Sequence, residues 1–311
     1  MYIRENIVNM NNYYVISRQL IVMFMFMTLG YLMYRNKMID NCGAKSIGNL
    51  LIYVVLPCSI LSSFINNNEN ISYKLLVYSI ILSLIALIIS IFVSSLLFKS
   101  NPIDNFGVSF SNAGFMGIPI IVSILGSKYV IYASSYIALL NILQFFYGQR
   151  LLSGKTVSKN KLTILKNPLV ISFSMGIIIY LINLPVPNII LEFTYSVANI
   201  NSPLAMVLLG TYLAQIRGLN SFRNINLLVS SITRLIIIPL LTILVFWILN
   251  IKYEIILPIV ICVSAPVGSN LAVYAQKLDK DYVYSVELIS ISTLLSLITM
   301  PLVLQFANLI I

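Results

Sequence analysis

The sequence predicts an all-α integral membrane protein. Ten transmembrane helices form two inverted five-helix repeats, and the fourth and ninth helices are broken and cross. Three observations predict this. The 311-residue chain is 59% hydrophobic and only 9% charged, against about 25% charged in an ordinary soluble domain. Its apolar runs divide into ten segments of roughly membrane-spanning length. Two of them, one in each half, are interrupted: Ser109-Phe110-Ser111-Asn112-Ala113-Gly114-Phe115-Met116-Gly117-Ile118-Pro119-Ile120 and Ser264-Ala265-Pro266-Val267-Gly268-Ser269-Asn270. Glycine weakens a helix and proline removes a backbone donor. Such a break is tolerated at membrane depth only where protein or a wet cavity covers it.

Residues 1–16 are polar and Asn-rich, and are expected to be ordered only in part. The first span, about 17–34, holds Met23-Phe24-Met25-Phe26-Met27. It lacks the short apolar core and small-residue cleavage site of a signal peptide. The second, about 47–65, carries Pro57, and the third runs from about 74 to 98. Asn101-Pro102 breaks the chain before the interrupted fourth span, about 104–126. The fifth, about 129–148, contains Asn141 and Gln144. Residues 149–167 form a polar, basic linker. The sixth span, about 168–183, ends at Pro185 and Pro187. The seventh, about 192–215, has Pro203 inside it, and the eighth, about 226–250, has Arg234 and Pro239. The ninth, about 254–276, is the second interrupted span. The tenth, about 282–308, carries Glu287 in its first two turns.

The halves repeat by position. Pro57 and Pro203 lie 146 residues apart, Pro119 and Pro266 147, and Asn141 and Glu287 146. A near-constant offset in three spans indicates a duplication, with repeats at 1–148 and 168–311 and the linker between them. Five spans per repeat is an odd number, so the copies enter the membrane in opposite senses. Of the 19 Lys and Arg, one set of loops holds Arg35, Lys37, Lys45, Lys99, Arg217, Arg223, Lys277, Lys280 and the linker's Arg150, Lys155, Lys159, Lys161 and Lys166. The opposite set holds Arg4, Arg18, Lys74, Lys128 and Lys252. The richer side is cytoplasmic by the positive-inside rule, which puts the linker inside and both termini outside. The same rule accounts for the net charge of +10 without nucleic acid as a partner.

Several chemistries are disfavoured. There is no His, the commonest metal ligand and neutral-pH base. Cys42, Cys58 and Cys262 are far apart and in no metal spacing. The phosphate-binding pattern G-x-x-x-x-G-K-[ST] is not present. The acids are scattered, so an enzyme acting on lipid or prenyl substrates lacks its metal-binding carboxylates. A receptor or assembly protein remains a further alternative; it would tolerate loss of Pro119 and Pro266.

An inverted repeat brings the two breaks together near mid-depth. The N-terminal ends of half-helices carry unpaired N–H groups and partial positive charge, which suit an anion such as a carboxylate. Asn112, Ser269 and Asn270 supply polar groups, Gly114, Gly117 and Gly268 permit close approach, and Pro119 and Pro266 mark the crossover. The bland alternative is that these residues only kink the helices. Glu287 is a candidate for proton uptake, or a carboxylate favoured by a helix start. Asn141 is its pseudo-symmetric partner, or an interhelical hydrogen bond. Arg234 is read as snorkelling to the cytoplasmic interface rather than as a substrate counter-ion. No cofactor is expected, and the coupled ion is a proton, sodium or none.

Ser111-Asn112-Ala113-Gly114-Phe115-Met116-Gly117-Ile118-Pro119 resembles the fourth-span signature of the auxin efflux carrier family, which includes bacterial malate- and malonate-type permeases. Ser264–Asn270 looks like its ninth-span crossover. Ser202-Pro203-Leu204 is similar to its seventh span, and Glu287 with Ser292-Thr293-Leu294-Leu295-Ser296 to its last. The resemblance implies a scaffold and a transport domain, interleaved across both repeats, with elevator-like movement of an organic anion. It also implies Asn112 and Asn270 as substrate contacts, and a homodimer. The short central loop favours a prokaryotic permease over an auxin carrier. A bile-acid-type sodium symporter is the nearest alternative transporter, since it shares the broken-helix plan.

Overall fold

Helix is the only extended regular structure among the described residues of the computed structural model, which cover 2–65, 73–154, 167–182, 184–215, 223–249 and 253–310. In chain order the helices are α1 (Tyr2–Arg35), α2 (Asn41–Ile65), α3 (Tyr73–Leu97), α4 (Pro102–Ser109), α5 (Ala113–Ile124), α6 (Ser127–Ser153), α7 (Pro168–Ile182), α8 (Asn188–Asn199), α9 (Asn201–Leu213), α10 (Ile225–Ile248), α11 (Tyr253–Ser264), α12 (Asn270–Lys277) and α13 (Tyr282–Ile310). Five of them, α2, α3, α6, α10 and α13, are long and apolar enough to cross a membrane. Outward-facing apolar side chains such as Phe92 (66% exposed) and Trp247 (53%) suit lipid rather than water.

Local sequence sets the helix starts. Asp40 caps α2 by accepting from the Gly43 N–H at 2.7 Å. Asn101 caps α4 by accepting from the Ile103 N–H at 3.1 Å, with Pro102 in the first turn where its missing N–H is not needed.

Two expected boundaries change. α1 begins at Tyr2 rather than near 17, because extending an existing helix adds a hydrogen bond for each residue fixed. The seventh span is two helices, α8 and α9, meeting at Ile200. The Pro203 ring would clash with the Asn199 carbonyl in a continuous helix, so Pro203 sits in the first turn of α9. The linker is described only at its ends, and residues 155–166 and Arg217 lie outside the described residues. The three cysteines are free, Cys42 exposed and Cys58 and Cys262 buried.

Four helices contain a single π turn: Leu51–Val55 in α2, Ala113–Gly117 in α5, Gln144–Gly148 in α6 and Thr233–Ile237 in α10. Three of these turns end two residues before a proline. Pro57, Pro119 and Pro239 cannot donate to the carbonyls four residues earlier, and their rings press on them. The preceding N–H groups of Leu56, Ile118 and Ile238 reach back five residues instead, to Leu51, Ala113 and Thr233. Such turns widen a helix locally and often mark functional positions.

The helices pack closely where glycine permits. A Cβ on Gly30 of α1 would fall 2.1 Å from the Val207 carbonyl oxygen of α9, and one on Gly210 of α9 2.0 Å from that of Met27. α7 packs on α2 in the same manner, with a Cβ on Gly176 meeting Phe64 at 2.4 Å.

Candidate functional site

The two interrupted stretches meet main chain to main chain. The Asn112 N–H donates to the Pro266 carbonyl at 2.7 Å, and the Gly268 N–H to the Phe110 carbonyl at 3.0 Å. Ser111 and Val267 thereby pair as one antiparallel bridge. A Cβ on Gly268 would lie 3.1 Å from the Ser111 oxygen and 3.2 Å from that of Phe110, so glycine lets the two main chains approach closely here. The Val267 N–H donates to the Ser292 hydroxyl at 3.2 Å, which ties the crossing to α13.

Each break ends one helix and starts another, giving four helix ends in one place. The starts of α5 and α12 border a cavity of about 30 Å³. Asn112, Gly114, Asn141, Gly268, Ser269 and Asn270 line it, with Ile52, Leu56 and Ser111. Six of the predicted site residues are thus brought together from three spans. Pro266 lies at the crossing itself. Gly117 is one turn further on, packed against Cys262. Pro119 is buried within α5. Glu287, half-buried on α13, is not part of the lining. In this conformation the space between these polar groups holds about one water.

Those groups are donors. Asn112 is 5% exposed, and its Nδ2 has no hydrogen-bond partner among the described residues. The Asn270 Nδ2 donates to the Gln144 Oε1 at 2.9 Å, and the Gln144 Nε2 is buried with no partner among the described residues. An unpaired buried donor is costly by about 1–3 kcal/mol unless something accepts from it. Asn141 donates within its own helix, to the Ile137 carbonyl at 2.8 Å. Asn201, at the start of α9, donates to the Gly114 carbonyl at 3.0 Å and so ties the seventh span to the broken fourth.

The other two helix ends, the C-termini of α4 and α11, face Arg234. Its side chain is fully buried, 0% exposed. Nε donates to the Ala265 carbonyl at 3.3 Å, Nη1 to those of Val108 at 3.0 Å and Ser109 at 3.5 Å, and Nη2 to that of Val263. This corrects the expectation that Arg234 snorkels to the interface. The π turn at Thr233–Ile237 carries it, and carbonyls freed by both breaks satisfy the guanidinium. It does not line the cavity. Tyr136, which accepts from the Ser111 hydroxyl at 3.3 Å, lies beside it.

A further buried acid escapes sequence reasoning. Asp104, 2% exposed in the first turn of α4, accepts from the Tyr284 hydroxyl at 2.9 and 3.0 Å and from the Asn101 Nδ2 at 2.6 Å. Its place just after Asn101-Pro102, inside an interrupted span, is the available signal. Gln144 and Asn201 give none, because their partners lie 126 and 87 residues away. Among the described residues no three of His, Cys, Asp and Glu gather to hold a metal.

A second cleft of about 160 Å³ flanks α5, lined by Ser59, Ser62, Ser63, Val122, Lys128, Tyr195 and Asn199 among others. Comparison with known families gives a match. A model described as membrane transport protein fits the chain twice, over residues 15–161 and 155–304. No curated protein matches.

Proposed function

The chain belongs to the membrane transport protein family, of the auxin efflux carrier type, and from that premise we propose that it is a secondary carrier of small organic anions, carboxylates of the malate and malonate kind. One observation carries the reading. The Asn112 amide, without a partner among the described residues, and the starts of α5 and α12 converge on one small cavity. Helix starts bring partial positive charge and free N–H groups, and the amide adds a donor without a full charge's desolvation cost. A carboxylate satisfies all of them. Asn270 and Ser269 complete the contacts from the second repeat.

In this reading 1–148 and 168–311 are inverted five-helix repeats giving ten spans. Their reciprocal packing, first span on seventh and sixth on second, supports that plan and a scaffold made of those four spans. The remaining spans form the unit that moves, in the manner of an elevator. The cavity is too small for a dicarboxylate, so a substrate-loaded state requires such movement. The charge bias of the loops supports a cytoplasmic linker with both termini outside. Glu287 is the proposed proton acceptor if a proton accompanies the anion, and a homodimer through the scaffold is the proposed assembly.

The test is uptake and exchange in proteoliposomes offered malate, malonate and an aromatic carboxylate. Accumulation or exchange of at least one, lost in Asn112→Ala, is the expected result. Failure to move any organic anion overturns the substrate reading.

A further inference from the structure

We propose that Arg234 is a built-in cation of the crossover, holding the place between two helix C-termini where a carrier of this plan would otherwise bind an alkali ion. The inference rests on the carrier reading above. In broken-helix transporters, unwound carbonyls and half-helix C-terminal ends are what coordinate a coupling cation. Here the carbonyls of Val108, Ser109, Val263 and Ala265 converge on one guanidinium. They come from both interrupted spans, so the cage exists only because the spans cross.

The charges balance. A helix C-terminus carries about half a negative charge, so two together carry about one. A guanidinium supplies one positive charge, stays protonated at any physiological pH, and fans its N–H groups over several acceptors at once. An alkali ion in the same cage could leave; Arg234 is tethered to α10 and fully enclosed. Main-chain carbonyls rather than a carboxylate accept from it, which is how a coordinated cation would be held. With the C-terminal ends neutralised from within, the opposed starts of α5 and α12 are left to act on an anion. Sodium and potassium then have no place to bind at the crossing, and the anion is bound without them.

The experiment measures thermal unfolding of the purified full-length protein in sodium, potassium and choline chloride at equal ionic strength, for wild type and Arg234→Ala. Wild type is expected to unfold at the same temperature in all three salts. A rise of more than about 2 °C specific to sodium or potassium signals a bound alkali ion and overturns the proposal. Arg234→Ala is expected to unfold at a lower temperature and to recover part of the loss in millimolar methylguanidinium or in an alkali salt, but not in choline. A folded variant that responds to none of these cations also overturns it. If that variant does not fold, the wild-type salt comparison decides alone. None of these readouts needs a transported substrate, so they stay distinct from the uptake assay. Where a carboxylate is taken up, replacing sodium by choline is expected to change the rate by less than about twofold, and a tenfold fall counts against the built-in cation.

Discussion

The main-chain N–H of Asn112 and the carbonyl of Pro266 lie 2.7 Å apart, one of two main-chain bonds that join the broken span of one repeat to that of the other. It fixes Asn112 as the residue that leads into α5, on the lining of the cavity. It also leaves four helix ends within one crossing, two starts on the cavity side and two C-termini on the Arg234 side.

Asn112 and Asn270 are expected to behave differently when truncated. Asn112→Ala removes a donor that has no partner among the described residues, so unfolding temperature should be nearly unchanged while carboxylate uptake falls at least about tenfold. Asn270→Ala also strands the Gln144 Oε1, so it should lose uptake and about 1–3 kcal/mol of stability as well. Paired uptake and thermal-unfolding measurements separate the two. Equal destabilisation by both variants would show that Asn112 is structural.

Gly268→Ala tests the closeness of the crossing. The added Cβ would press on two carbonyl oxygens at 3.1 and 3.2 Å. Overpacking of this kind costs about 1–3 kcal/mol, and Gly268→Val should exceed it. Thermal unfolding in detergent gives the order expected: wild type, then Ala, then Val.

The α1–α9 contact should be intolerant in the same way but more severely. Gly30→Ala or Gly210→Ala would put a Cβ about 2 Å from a backbone oxygen, so the helices must separate and folded yield should collapse. Gly48→Ala is the control. Its Cβ would make an ordinary 3.6 Å contact with Leu208, and helix propensity favours Ala by up to about 1 kcal/mol, so stability should hold or rise.

Asp104 and Tyr284 should be energetically coupled. Asp104→Asn and Tyr284→Phe each break the hydroxyl–carboxylate pair joining α4 to α13, at about 1–3 kcal/mol apiece. In a double-mutant cycle the combined loss should fall short of the sum by about 0.5–3 kcal/mol. Additive losses would mean that the two residues act separately.

The breaks are legible in the sequence because Gly, Pro and Asn clustered in an apolar run are costly at membrane depth unless the helix stops there. Five residues of the cavity lining, Asn112, Gly114, Gly268, Ser269 and Asn270, are legible with them, since they sit in those breaks, whereas Asn141 is singled out by the offset between the repeats. Contacts between residues far apart along the chain are not. Counting from the nearer helix end sends Arg234 to the interface, but both breaks turn free carbonyls toward it, from residues up to 126 positions away. Gln144 looks like any polar residue in an apolar span until Asn270 is seen to donate to it. The split at Ile200 is hidden for a local reason. Pro203 reads equally well as a kink within one helix, whereas its ring ends one helix and lets another begin.

The four π turns carry a consequence for how this chain tolerates change in length. Each takes up one surplus residue in a widened turn, so the two halves of α2, α5, α6 and α10 keep nearly the relative orientation of a regular helix. Deleting a single residue from Thr233–Ile237 would let α10 return to regular winding with Trp247 still on its lipid-facing side, and the side chain displaced would be Arg234, which the widened turn carries. A one-residue indel in the regular part of the same helix has no such turn to take it up, and would rotate the residues beyond it by about 100°. Loss of one residue is therefore milder at these turns than elsewhere in the same helices.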